Sequence, residues 1–386
     1  MWLLGIIGFV TLVTCQSSPL TKIDLSAPVG KFTRDVYAQL GKSEKGNMVL
    51  SPFSIHTTMA MALAGSPQKS NTYKNLAKAL NLDVNNPKAV NIDYALVRNY
   101  FQTKNLEHKV ADDCVPPEPV AAEESEDYDY YDGLETKVVD DCDPAIEIST
   151  GYKVYANKNV KISPDYKLAV NTYYKAGKKV FSIFDSWLVI VFSRFADVDE
   201  VDFSRGQVAA DKINGFVDEA TKGLIKEIVK PNSFDENTKV MLINAIYFFG
   251  KWKIPFEASQ TDEMDFFVTK DKVVKHKHGM NMNENIKQIK HKSSKGEIGV
   301  LRMPYKDDNF AMYLILPPEG MDVREFDWND LPLTEMKKGM QWDSTNLLLP
   351  KFKIEYEKDL KQLFQSLNAG DAFSSSGKLL LQWKNI

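Results

Sequence analysis

The sequence predicts an α+β fold, one domain of many helices and several sheets. Three observations carry this expectation. Several segments have helix punctuation or helical periodicity. Residues 239–249 (KVMLINAIYFF) are a continuous run of apolar, largely β-branched and aromatic residues. Helical and extended patterns follow one another without the regular alternation of a parallel α/β repeat.

The elements can be justified in chain order. Residues 29–40 place Val29, Phe32 and Val36 on one helical face. Ser51 then suits an N-cap and Pro52 the first helical position, where its missing N–H costs nothing. That helix closes at Gly65 and is apolar nearly all round, so it should be buried. Ser163 and Pro164 repeat the start signal, with Leu168 and Tyr173 on one face and Gly177 as the stop. Ile213, Phe216, Val217 and Ala220 form an i, i+3, i+4, i+7 stripe that ends at Gly223. Residues 239–249 are apolar without alternation, as expected for a strand covered on both faces. Residues 298–303, 310–316 and 347–354 are further strands between Pro and Gly turn signals. Asn244 falls inside the covered strand, where an amide needs partners. The hydroxyls of Ser51 and Ser54 are candidates.

Residues 1–15 are uncharged and apolar and lead into polar Gln16-Ser17-Ser18. They are expected to be a signal peptide, being too short to span a bilayer. The absence of Lys or Arg before the apolar stretch leaves a buried N-terminal strand as the alternative. Removal of this segment would leave Cys114 and Cys142, an even pair that suggests one disulfide in a secreted chain. No Asn-x-Ser/Thr sequon occurs.

The net charge of −4 hides an asymmetry. Residues 111–144 carry 13 carboxylates and one lysine, which leaves a mildly basic body. This acidic insert contains Tyr128, Tyr130 and Tyr131 among carboxylates, with Cys114 and Cys142 near its ends. A disulfide there would close a tethered loop and stabilise by roughly 3 kcal/mol. Acidic tyrosine runs suit sulfation and docking to a basic exosite on a partner protein. A solvated segment without a partner is the alternative. Residues 272–295 are rich in bases and could hold a sulfated polysaccharide. They lack the aromatic interleaving of a single-strand nucleic-acid platform, so no nucleic-acid partner is expected. His276 and His278 are flanked by lysines and read as a solvated edge rather than a metal pair. No nucleophile elbow, Walker loop or dinucleotide fingerprint occurs. Neither an enzyme nor a cofactor is expected, and no membrane partner.

Several long stretches, in order, resemble the serpin family. They are residues 47–55 (NMVLSPFSI) continuing to Gly65, residues 210–222, residues 242–252 (LINAIYFFGKW) with Pro255-Phe256, residues 301–316 (LRMPYKDDNFAMYLIL) and residues 349–354 (LPKFKI). The resemblance spans most of residues 29–373. It implies a suicide inhibitor of secreted serine proteases, acting as a monomer. In that mechanism a reactive loop is cleaved and inserts as a new strand into the main sheet. Ser51, Ser54 and Asn244 resemble the family's cluster under the point where the sheet opens, and Trp252 resembles the tryptophan at its top.

Two segments depart from the family pattern. Residues 177–195 interrupt text that should run almost directly into residues 196–204. Residues 377–386 (GKLLLQWKNI) stand where the family continues with a small-residue hinge, the reactive loop and terminal strands. The serpin-like domain is therefore expected over residues 29–376, with residues 377–386 a non-family tail. Both segments begin Gly-Lys, as an in-frame splice donor would encode, so translated introns are one reading and a lineage insertion with a short isoform the other. This chain is expected to lack the scissile residue and to be inactive as an inhibitor, with apolar faces beside residues 310–316 and 239–249 left uncovered. A non-inhibitory secreted carrier is the alternative function, and the hinge would discriminate the two.

Overall fold

The computed structural model describes residues 25–83, 145–174 and 198–373, apart from 45, 236, 270–271, 329–330 and 355, together with 94, 95, 97, 379–380 and 382–385. The expected signal peptide, the acidic insert with Cys114, Cys142, Tyr128, Tyr130 and Tyr131, residues 177–195 and the Gly177 stop lie outside the described residues.

Helices α1 (Ser26–Leu40), α2 (Pro52–Ala64) and α3 (Asn71–Ala79) come first. Strand β1 (Ile146–Asn157), helix α4 (Pro164–Ala169), strand β2 (Val198–Val201) and helix α5 (Gly206–Ala220) follow. Strands β3 (Val240–Gly250), β4 (Thr261–Thr269), β5 (Lys272–Ser293), β6 (Gly296–Pro304) and β7 (Ala311–Leu316) form a long run. The described chain ends with helix α6 (Leu333–Gly339), strands β8 (Gln341–Pro350) and β9 (Tyr356–Asp359), helix α7 (Lys361–Ser366) and strands β10 (Leu379–Leu380) and β11 (Gln382–Asn385).

The start signals act as expected. The Ser51 Oγ accepts the Ser54 N–H at 3.3 Å, and the Ser163 Oγ accepts the Tyr166 N–H at 3.1 Å. Each satisfies an N–H that a helix end leaves without a partner. At the other end of α5, Gly223 adopts φ +84°, a conformation glycine takes without a steric penalty. One expectation fails: Leu168 does not share a buried face with Tyr173 but is 66% exposed. The backbone turns from α into π geometry at Val170–Tyr174, and a π turn breaks the 3.6-residue period on which that face was read.

The main sheet has the order β10-β3-β1-β2. Its two faces explain the unbroken apolar run of β3. On one face Leu242 and Val154 pack with Phe32, Val36, Met59 and Leu76 of the N-terminal helices. On the other, Met241, Ile243 and Ala245 pack under Ile213 and Val217 of α5. The close fit of α5 needs Gly151 beneath it, since a Cβ there would meet the Ala220 Cβ at 2.9 Å.

The second large sheet runs β4-β5-β6-β7, with β8 on the other edge of β5. Here the expected uncovered apolar face is corrected for β7: Phe310 to Ile315 are all buried. Met312 and Leu314 pack with Leu347 and Leu349 of β8, while Tyr313 and Ile315 lie in a second cluster with Met336 of α6. The predicted strand at residues 347–354 starts at Gln341 and ends at Pro350.

Candidate functional site

Strand β3 is unequally paired. Along one edge it matches β1 residue by residue, from Ala156↔Val240 to Ile146↔Gly250. On the other edge only Val240 and Met241 find partners among the described residues, in parallel pairing with Leu379 and Leu380. The next residues of the tail leave β3 and pair with β9, Gln382 opposite Asp359 and Asn385 opposite Tyr356. Among the described residues, the edge of β3 from Leu242 to Gly250 therefore has no strand beside it. Unpaired strand edges are templates for another strand.

Of the four residues singled out in the sequence, Asn244 lies on β3, Ser51 and Ser54 lie at the start of α2, which packs with Leu242, and Trp252 follows the end of β3. Side chains two apart on a strand share a face, so Asn244 projects with Leu242 toward the α2 side. There Ser54 is fully buried, and Ser51 donates its hydroxyl hydrogen to the Ser54 Oγ at 3.0 Å. The predicted serine–asparagine bond is absent: both amide atoms of Asn244 are buried without a partner among the described residues. The serines satisfy the helix start and each other, so Asn244 is left with an unmet donor and acceptor. Such a group costs about 1–3 kcal/mol.

Trp252 stands just beyond the far end of β3. Its indole lies flat on the Tyr305 ring, with centroids 4.5 Å apart and planes within 9°. The two residues also form an antiparallel bridge, flanked by Lys253 N–H to Pro304 O at 3.0 Å and Lys306 N–H to Lys251 O at 2.8 Å. This junction ties the end of β3 to the second sheet, and burial pushes the Tyr305 hydroxyl above its usual range.

Helix α5 crosses the sheet under an ionic lattice. Asp199 of β2 holds Lys153 of β1 at 3.1 Å and Lys212 of α5 at 3.4 Å. Lys222, just past α5, pairs with Glu147 of β1 and stands 5.2 Å over the Tyr247 ring of β3.

His56 carries a role that sequence reading missed. It is buried in α2, its Nε2 2.8 Å from the Leu80 carbonyl oxygen and its Nδ1 bonded to the Tyr94 hydroxyl. Burial lowers its pKa to about 4, against a smaller opposing effect of the Leu80 carbonyl. The available signal was a lone histidine inside a helix apolar on every face.

The basic stretch at residues 272–295 is almost entirely β5, and part of its charge is matched. Lys275 pairs with Asp265 at 2.7 Å and Lys290 with Glu297 at 3.2 Å.

A family model described as "Serpin (serine protease inhibitor)" matches residues 27–186 and 190–381. Antichymotrypsin-2 of Bombyx mori is 30% identical over 227 residues, 56% of this chain. That match spans only 57% of the length of the silkworm protein. Serine protease inhibitor 42Dd of Drosophila melanogaster is 25% identical over 383 residues, 98% of this chain and 80% of the relative. Among solved structures, ovalbumin from emu superposes with a TM-score of 0.68 at 20% identity, covering 91% of this chain and 79% of that one. With the helix-backed, unevenly paired main sheet and a family match along nearly the whole described fold, this chain belongs to the serpin family.

Proposed function

We propose that the protein to which this chain belongs inhibits a secreted serine protease by inserting a cleaved loop beside β3. The observation that carries this reading is the edge from Leu242 to Gly250, which has no neighbouring strand among the described residues. An inserted strand would satisfy those backbone groups and bring polar atoms within reach of Asn244. The protein named serine protease inhibitor 42Dd and the antichymotrypsin of the silkworm support the lineage.

The remaining parts of the reading follow from the sequence. Residues 1–15 direct export, and Cys114 and Cys142 close the acidic loop. Sulfated Tyr128, Tyr130 and Tyr131 would dock to a basic surface of the target protease and raise the association rate. The many bases of residues 272–295 favour a sulfated polysaccharide. Residues 1–386 alone carry no small-residue hinge and act as a monomer without inhibitory activity.

The test incubates two proteins with trypsin-like, chymotrypsin-like and elastase-like proteases: the product of the complete transcript and recombinant residues 1–386. An SDS-stable covalent complex is expected with the first and none with the second. Cleavage of the complete product without any stable complex would overturn the inhibitory reading.

A further inference from the structure

Outside the main sheet, one row of side chains crosses the second sheet in register. Trp342 of β8 lies opposite Lys287 of β5, Lys287 opposite Arg302 of β6, and Arg302 opposite Tyr313 of β7. Directly opposed residues project to the same face, with Cβ atoms about 5 Å apart. Lys337 of α6 adds a third cation, its Nζ 5.4 Å from the centre of the Tyr313 ring. The Lys287 Nζ stands 5.4 Å from the ring of Trp342, which is 60% exposed.

Among the described residues, no carboxylate forms an ion pair with any of the three cations. Arg302 spends a donor on the Asp308 carbonyl oxygen at 2.7 Å, a neutral acceptor. The nearby acids are turned elsewhere: Asp308 pairs with Lys253, and Asp343, on the opposite face from Trp342, accepts from Gln288 at 3.2 Å. Burial and the charge of Arg302 both weaken the hold of Lys337 on its proton. Three half-buried cations together are mutually repulsive, and one compact anion would relieve that repulsion.

We infer that the row Trp342–Lys287–Arg302–Tyr313 with Lys337 is a binding site for a small aromatic anion. The spacing favours a compact group. Two cationic side chains whose Cβ atoms lie about 5 Å apart can both reach one phosphate, sulfate or carboxylate at charge-assisted distances of about 2.8 Å. The exposed indole at the end of the row offers a stacking surface for a ring attached to that anion. A long polyanion fits less well, because the adjoining row Ile289–Val300–Ile315 packs in a cluster with Met336 of α6. This inference is independent of the polysaccharide reading, since four of its five residues lie outside residues 272–295.

The test titrates the purified chain with phenyl phosphate, inorganic phosphate and benzyl alcohol, reading indole fluorescence and calorimetry. Phenyl phosphate is expected to bind saturably and more tightly than inorganic phosphate, and benzyl alcohol not at all. Lys337→Gln and Arg302→Gln should each weaken phenyl phosphate roughly tenfold, which is ~1.4 kcal/mol. Lys292→Gln, on the opposite face of β5, should leave it unchanged. Trp342→Ala should remove the preference for phenyl over inorganic phosphate. Lys337 is only half-buried and lies on the short helix α6 rather than in a strand, so its variant reports even if Arg302→Gln fails to fold. Absence of saturable binding, or equal affinity in Lys337→Gln and Lys292→Gln, would overturn the site. Tighter binding of a heparin oligosaccharide, lost in Lys337→Gln, would overturn the choice of a small aromatic ligand.

Discussion

The ring of Trp252 is stacked on that of Tyr305, their centroids 4.5 Å apart, where the end of β3 meets the second sheet. Because the same two residues share a backbone bridge, the stack and the strand pairing reinforce each other. Aromatic pairs contribute about 0.5–1.5 kcal/mol beyond their buried area. Trp252→Ala is therefore expected to lower unfolding stability by about 2 kcal/mol, with Trp252→Phe recovering roughly half. Urea midpoints with unchanged slope would measure this, and an unaltered midpoint in Trp252→Ala would contradict it.

Asn244 gives a prediction of opposite sign. Its amide is buried without a partner among the described residues, so an apolar residue of similar volume removes a desolvation cost. Asn244→Leu should stabilise residues 1–386 by about 1–3 kcal/mol. A fall in the thermal midpoint would mean that the amide has a partner beyond the described residues.

Acid should weaken the fold through His56. Its pKa is lowered from 6.5 to about 4 in the folded chain. The unfolded chain therefore binds the proton first, and the stability His56 contributes is complete above pH 6.5. It falls as pH drops from 6.5 to about 4. The loss totals about 3 kcal/mol for a shift of this size. Protonation would also remove the Nδ1 lone pair that accepts from Tyr94. Unfolding free energies across that window check the slope, and an NMR titration of His56 with an ordinary midpoint would contradict it.

The ionic lattice over the sheet should be sensitive to salt and to a single neutralisation. Asp199 is the shared anion, with its side chain 25% exposed and that of Lys153 16% exposed. Asp199→Asn leaves two cations unpaired and should cost about 1 kcal/mol, less at high salt. Hydrogen exchange should quicken first in α5 and β2. Equal exchange in the variant would show that apolar packing alone holds the helix.

The sequence made much of this legible for local reasons. Ser51-Pro52 and Ser163-Pro164 are start signals that depend on adjacent residues only, and both act as read. The covered strand at Val240–Gly250 was legible because burial on both faces leaves an unbroken apolar run. Strand β5 was not, because its lysines, asparagines and glutamate disfavour strands in isolation. It is held by pairing with β4, β6 and β8, which periodicity cannot see. The Leu168 face was misread because one π turn shifts the period. At the candidate site, Ser51, Ser54, Asn244 and Trp252 were singled out through the resemblance to the family. The missing hydrogen bond of Asn244 was not legible, since it depends on distances between elements far apart in the chain.

The edge of β3 that has no strand beside it among the described residues is the centre of the account, and hydrogen exchange resolved to single amides tests it most directly. Alternate N–H groups of a strand point to opposite edges, so half of those from Leu242 to Gly250 face β1 and half face the open side. The account predicts alternating protection along this stretch, slow where the amide faces β1 and fast where it does not. Uniformly slow exchange from Leu242 to Gly250 would contradict it, because the edge would then already be filled.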